Sequence, residues 1–194
     1  MSRLRRTLVW LSRIRHCRGF GVQSPWAYRM VRYVINEHYP YYAYSELAKA
    51  YPRMGAKERK LCELIFRLAN HVQPLTAVSY GISGSAVGDY VKAGCRRARY
   101  LKADGTAAGP LPEGVSLTVI APRAGFAEAF AAACRRSCDG SVVMLLGIHG
   151  GKDARRLWRD TVRDMNDVVT FDLYYCGLVC FSKSRYKQNY IINF

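Results

Sequence analysis

Hydrophobic residues in this chain start at helical spacing and then switch repeatedly between two periods. Leu4, Leu8, Leu11 and Ile14 recur at helical intervals with Arg3, Arg6, Arg13 and Arg15 between them, which predicts a basic amphipathic helix. Ser24 is a natural N-cap with Pro25 at the first helical position, so a second helix is expected over 25–36. Residues 56–72 place Leu61, Leu64, Ile65 and Leu68 on one helical face before Pro74 stops the pattern. From there short apolar runs at 76–80, 98–103, 116–121 and 141–148 read as strands, and 85–94, 126–136 and 153–165 as helices between them. Strands without a polar face that alternate with helices predict an α/β fold, a Rossmann-like and mostly parallel sheet with helices on both faces. The last stretch, 168–181, departs from this rhythm, with two β-rich runs around a turn placed at Cys176 and Gly177, and predicts an antiparallel C-terminal hairpin. Residues 1–55 are expected to form a basic helical extension packed on a body spanning 56–194.

Charge sharpens this picture. The formal net charge of +16 favours anionic partners, and residues 1–36 hold eight arginines and no acidic residue. Arg3, Arg5, Arg6, Arg13, Arg15 and Arg18 therefore form a candidate contact surface for nucleic acid or a membrane, set against the plainer reading of a solvated helix lying on the domain. No apolar run approaches the ~18 residues of a membrane span, and "TLVWL" is too short for a signal-peptide core, so a cytoplasmic protein is expected. The aromatic run "HYPYYAY" is read as a plug between the helical extension and the body rather than as a base-stacking surface. Seven cysteines without an export signal are expected to be reduced core thiols. No metal site is expected: Cys176 and Cys180 lie in a strand, where residues four apart are about 13 Å distant, and no further ligand pair completes a site around Cys134 and Cys138.

The candidate chemistry centres on "VSYGISGSAVGDYV". A glycine turn after the first strand of an open parallel sheet lets backbone N–H groups approach a polar or anionic ligand, and Tyr80, Gly81, Ile82, Ser83 and Gly84 occupy that turn. Asp104 follows Gly81 by 23 residues, close to the spacing of a ribose-binding carboxylate. "GIHGGKD" fails as a phosphate loop because three residues, not four, separate its glycines and Asp153 stands where Ser or Thr is needed. His149 is the only histidine at a strand end; it is read as a turn residue and is the one catalytic candidate.

Several stretches taken in order resemble class I S-adenosylmethionine (SAM)-dependent methyltransferases of a Bacteroidetes type. "FGVQSPWAY" is similar to that family's amino-terminal histidine-glycine, histidine-serine-proline-phenylalanine signature, "VSYGISGSA" to its cofactor turn, and "IHGGKDARRLW" to the segment after the fifth sheet strand. The resemblance implies SAM as cofactor, with Gly81 and Ser83 matching the turn and Asp104 the ribose carboxylate. This chain departs from the family at Ser79, Ser85, Ala121, Ala124, Leu146 and Gly147, where the family carries acidic, glycine or histidine residues, and Phe20 and Gln23 replace both signature histidines. The segment between "ADGT" and "SLTVIA" is also too short for the helix and third strand of the family's adenine pocket. Each lost carboxylate costs about 1–3 kcal/mol of ligand binding. Two functions follow: a methyltransferase with an unnamed acceptor, or a non-catalytic Rossmann-like binding protein that uses the basic arm.

Overall fold

The computed structural model describes residues 3–16, 21–103 and 115–194. Asp104 and Arg18, both singled out by the sequence, lie outside these residues.

The chain opens with helix α1 (Arg3–Ser12) and a single 3₁₀ turn at Ile14–His16. Helix α2 (Pro25–Met30) starts as its sequence dictates, with the Ser24 hydroxyl accepting from the Ala27 N–H, and runs on as a π-helical stretch over Val31–Ile35. The wider winding has a structural partner. Arg67 is 6% exposed and donates to the carbonyls of Val34 (2.6 Å) and Ile35 (3.2 Å) and to the Tyr44 hydroxyl (3.1 Å). A buried guanidinium thereby satisfies carbonyls that a helix end leaves open. Helix α3 (Tyr42–Ala50) carries the aromatic junction. Tyr41 and Tyr44 pack edge-on against Phe66, while Tyr42 and Tyr39 face solvent, so the plug consists of two of these tyrosines.

Helix α4 (Ala56–Val72) buries Leu64, Ile65 and Leu68 and ends on Gln73, whose left-handed backbone closes the last turn just before Pro74. It leads into β1 (Thr76–Tyr80), followed by α5 (Ala86–Gly94), β2 (Arg99–Ala103), β3 (Val115–Ile120), α6 (Phe126–Arg136), β4 (Val142–Leu146), α7 (Lys152–Asp164), β5 (Val168–Asp172), β6 (Cys176–Phe181) and β7 (Gln188–Ile191). One seven-stranded sheet runs in the order β2-β1-β3-β4-β6-β5-β7. All neighbouring pairs are parallel except β4 with β6 and β5 with β6. Among the described residues no strand pairs outside β2, in which no residue is fully buried, as fits an edge.

Side chains leave each central strand alternately to two apolar layers. Ala77, Leu117, Met144 and Phe171 join α2, α4 and α5 on one face, and Val143, Leu145, Ile120 and Val179 join α6 and α7 on the other. This explains why the sequence shows runs of Val, Ile and Leu without a polar face.

The hairpin is present, but its turn lies at Leu173–Tyr175 and not at Cys176–Gly177, which open β6. Tyr174, at φ +66°, makes the reversal. Gly177 is needed for another reason: the Trp158 ring of α7 packs where a side chain at this position would sit. The hairpin is not the sheet edge, because β7 adds parallel to β5 outside it. Cys138 falls after α6, so it does not share a helical turn with Cys134; the six described cysteines are all free thiols.

Candidate functional site

The chain passes from β1 through α5 to β2 on one side and then crosses back to place β3 on the other side of β1. The carboxyl ends of β1 and β3 are thus the topological switch point, where an open α/β sheet offers a crevice. The glycine turn lies there. Gly81 is left-handed (φ +67°), as is Gly84 (φ +79°), and the Ala121 N–H donates to the Tyr80 carbonyl at 2.9 Å, tying the two strand ends.

Tyr80 is buried, with its hydroxyl against Gly125; Ile82 is half-buried against the core; Ser83 and Gly84 are exposed. The space beside Gly84 is open, but a Cβ on Gly81 would meet the Cγ and Cβ of Arg123 at 3.1 and 3.2 Å. The methylene stem of Arg123 therefore forms the floor beside Gly81. Ser79, at the position where a carboxylate would precede the turn, is fully buried and shares a hydrogen bond of 2.6 Å with the Tyr100 hydroxyl. Tyr51, at the end of α3, bonds to Ser85 Oγ at 2.7 Å and to the Asp89 carboxylate, which braces the turn from α3. The turn thus places backbone groups beside an apolar floor, and none of the side chains at 80–84 is a carboxylate.

A second constellation gathers at the carboxyl end of β5. Asp172 is 13% exposed and accepts from four directions: Arg13 Nη2 at 2.8 Å, His149 Nε2 at 2.9 Å, Trp158 Nε1 at 3.3 Å and the Tyr174 backbone N–H at 2.8 Å. Burial pushes its pKa up, yet the His149 bond, the Arg13 charge and the Tyr174 N–H outweigh burial and hold it below the usual carboxylate range. The ionised carboxylate only accepts, so His149 donates from Nε2 and its neutral form keeps Nδ1 as an acceptor. The His149 ring also stacks on Tyr174 at 5.1 Å. One carboxylate thus joins the residue that follows α1, the β4–α7 turn, α7 and the hairpin turn.

The sequence singled out His149 and Arg13 separately and missed Asp172, Trp158, Tyr174 and Arg123. Arg13 and Asp172 lie 159 residues apart, and no local pattern marks them as partners. The structure does not bring His149 into contact with the glycine turn; each belongs to its own strand end. Arg3, Arg5 and Arg6 lie in α1, Arg15 is exposed, and Arg13 is turned inward. Among the described residues no group of three His, Cys, Asp or Glu side chains is placed to hold a metal ion, and no helix is long and apolar enough to cross a membrane.

No protein-family model matches the chain, and no curated relative matches it either. Solved structures do. A Podospora anserina methyltransferase bound to S-adenosylhomocysteine (SAH) superposes with a TM-score of 0.57 at 11% identity, over 83% of this chain and 97% of that one. An O-methyltransferase from Streptomyces achromogenes involved in tomaymycin synthesis, in complex with SAM, gives a TM-score of 0.53 at 14% identity over 74% and 91%. A precorrin-6y C5,15-methyltransferase from Geobacter metallireducens gives 0.50 at 12% identity over 67% and 92%. At such identities the likeness is one of architecture: this chain has the Rossmann-like fold of the class I methyltransferases.

Proposed function

We propose that the protein is a SAM-dependent methyltransferase-like protein with its cofactor crevice at the β1/β3 switch point, of the Bacteroidetes type that its motif order resembles. The observation that carries this reading is the left-handed turn at Gly81 and Gly84, at the carboxyl end of the first strand of a methyltransferase fold. Tyr80, Gly81, Ile82, Ser83 and Gly84 hold the adenosyl group through their backbone, and Asp104 takes the ribose hydroxyls. Bound there, SAM supplies an electrophilic methyl group to an acceptor nucleophile. The chain's own contribution to the chemistry is His149, which Asp172 orients through Nε2 so that Nδ1 receives the acceptor's proton. With Ser79 engaged by Tyr100 and the Asp89 carboxylate already bonded to Tyr51, binding is weak, and loss of turnover is the expected extreme of this reading.

Titration calorimetry with SAM and SAH tests it. Heat of binding is expected, and Asp104→Ala should weaken it about tenfold or more, the scale of a charge-assisted hydrogen bond. No heat at millimolar ligand would end the cofactor reading and leave a non-catalytic binding protein.

A specific observation supports a partner for the basic arm. Leu8, Leu11 and Ile14 are 60%, 52% and 48% exposed, while Arg13 is turned into the protein. An apolar stripe facing solvent on an arginine-rich helix suits the interface of an anionic membrane better than nucleic acid, which offers no apolar phase. Vesicles containing phosphatidylserine should bind the protein at low salt and release it at high salt. Binding that neither salt nor deletion of residues 1–18 alters would count against the arm.

A further inference from the structure

A cavity of about 840 Å³ opens between α1, the first turn of α4, the hairpin turn after β5 and the residues following β7. It shares no lining residue with the glycine turn. Its size falls within the range of small-molecule sites, and it is concave where a macromolecular contact would be flat. Trp10, Tyr174 and Tyr175 line it together with Arg13, Lys57 and Lys60, and no acidic residue does so among the described residues.

Cations and rings alternate around this wall. The Arg13 guanidinium lies 5.3 Å from the Tyr174 ring centroid, and the Lys57 ammonium 5.2 Å from that of Tyr175. Arg13 is neutralised from behind by Asp172, whereas Lys57 forms no ion pair among the described residues. Helix α4 begins at the same wall without a side-chain cap, and the positive end of this 17-residue helix, partly offset by Glu58 in its first turn, adds to the Lys57 charge. Trp10, half exposed, presents a large indole surface to the same space.

We propose that this cavity binds a small planar aromatic molecule bearing a carboxylate or comparable anionic group, its ring against Trp10 and its charge at Lys57 and the start of α4. Both halves of the lining are needed: rings alone would take any apolar molecule, and cations alone would take any anion. Among the described residues no acidic lining group balances a positively charged ligand, and the cavity shares no lining residue with the proposed SAM crevice. The inference does not rest on the cofactor reading.

Three probes and two variants test it. Trp fluorescence and calorimetry are followed with 2-naphthoate, with its neutral isostere 2-naphthamide, and with cyclohexanecarboxylate, an anion without an aromatic ring. 2-Naphthoate should bind and quench, and the other two should bind more weakly by roughly threefold to tenfold, the scale of one accessible charge or one aromatic contact. Lys57→Gln should lower 2-naphthoate affinity about two- to fivefold and remove its advantage over the amide. Trp10→Phe should abolish most of the quenching, which assigns the signal among three tryptophans. Saturating SAH should leave 2-naphthoate affinity unchanged. Both variants change exposed residues, and circular dichroism confirms that they fold. The proposal is overturned if 2-naphthoate does not bind, if it binds no better than the amide or the saturated acid, or if both variants bind it like the parent protein.

Discussion

Replacing Asp172 by asparagine tests the organisation of the carboxyl edge most directly. The carboxylate is 13% exposed and holds Arg13, itself 12% exposed, at 2.8 Å, while His149, Trp158 and the Tyr174 N–H complete its contacts. Asparagine keeps the shape and one accepting oxygen, so some of these bonds persist. Its NH₂ group must face a donor, and the Arg13 charge loses its partner in a half-dry environment. Hydrogen bonds to charged groups are worth about 1.5–3 kcal/mol, and breaking a fully buried pair costs about 3–5 kcal/mol. Because this pair is not fully dry, a loss of about 2–3 kcal/mol is expected, which lowers Tm by roughly 4–12 °C for a chain of this size. Urea unfolding followed by circular dichroism measures the loss, and a double-mutant cycle with Arg13→Met isolates the pair. The pH dependence follows from the depressed pKa of Asp172. A carboxylate with a lowered folded-state pKa stabilises the fold above its unfolded value, about 4, and that stability disappears as pH falls through the lower folded value. The parent protein should therefore lose stability in that acid window, and Asp172→Asn should lose less there. A destabilisation below about 0.5 kcal/mol, or strict additivity with Arg13→Met, would refute the view that this carboxylate ties α1 to the sheet.

Gly81→Ala places a Cβ against the Arg123 stem at a left-handed backbone position and should cost about 1–2 kcal/mol in urea unfolding; a neutral effect would show that Arg123 does not pack on the turn. Arg67→Ala removes the donor shared by the Val34 and Ile35 carbonyls and should destabilise by about 3 kcal/mol in thermal melts, with the π-helical stretch losing hydrogen-exchange protection first. Among the described cysteines, exposed Cys138 should react first with iodoacetamide at pH 8, whereas burial pushes Cys62, Cys134 and Cys180 up to about 12; mass spectrometry that finds Cys180 alkylated at the same rate would contradict the packing.

The alternation of apolar strands with amphipathic helices was legible from residue 56 onward, because side-chain period is a covalent property that each segment carries by itself. The Ser24–Pro25 helix start, the glycine turn after β1 and the antiparallel ending were local in the same sense. Gly177 marked the wrong place for the hairpin turn because glycine signals a need for space as well as a turn, and the Trp158 ring that requires the space comes from another element. The parallel addition of β7 outside β5 was likewise hidden, since a four-residue strand carries too little pattern to announce its partner.

At the candidate site the division is sharper. The sequence by itself determined a sheet with a glycine turn at the end of its first strand and a basic, leucine-bearing amino-terminal helix. Only the tertiary structure decided that Arg123 floors that turn, that Ser79 is engaged by Tyr100, and that Arg13, His149 and Trp158 converge on Asp172. Those contacts depend on the order in which strands lie side by side, and strand order is fixed by the packing of the whole sheet against its two helical layers, not by any stretch of chain short enough to show a period.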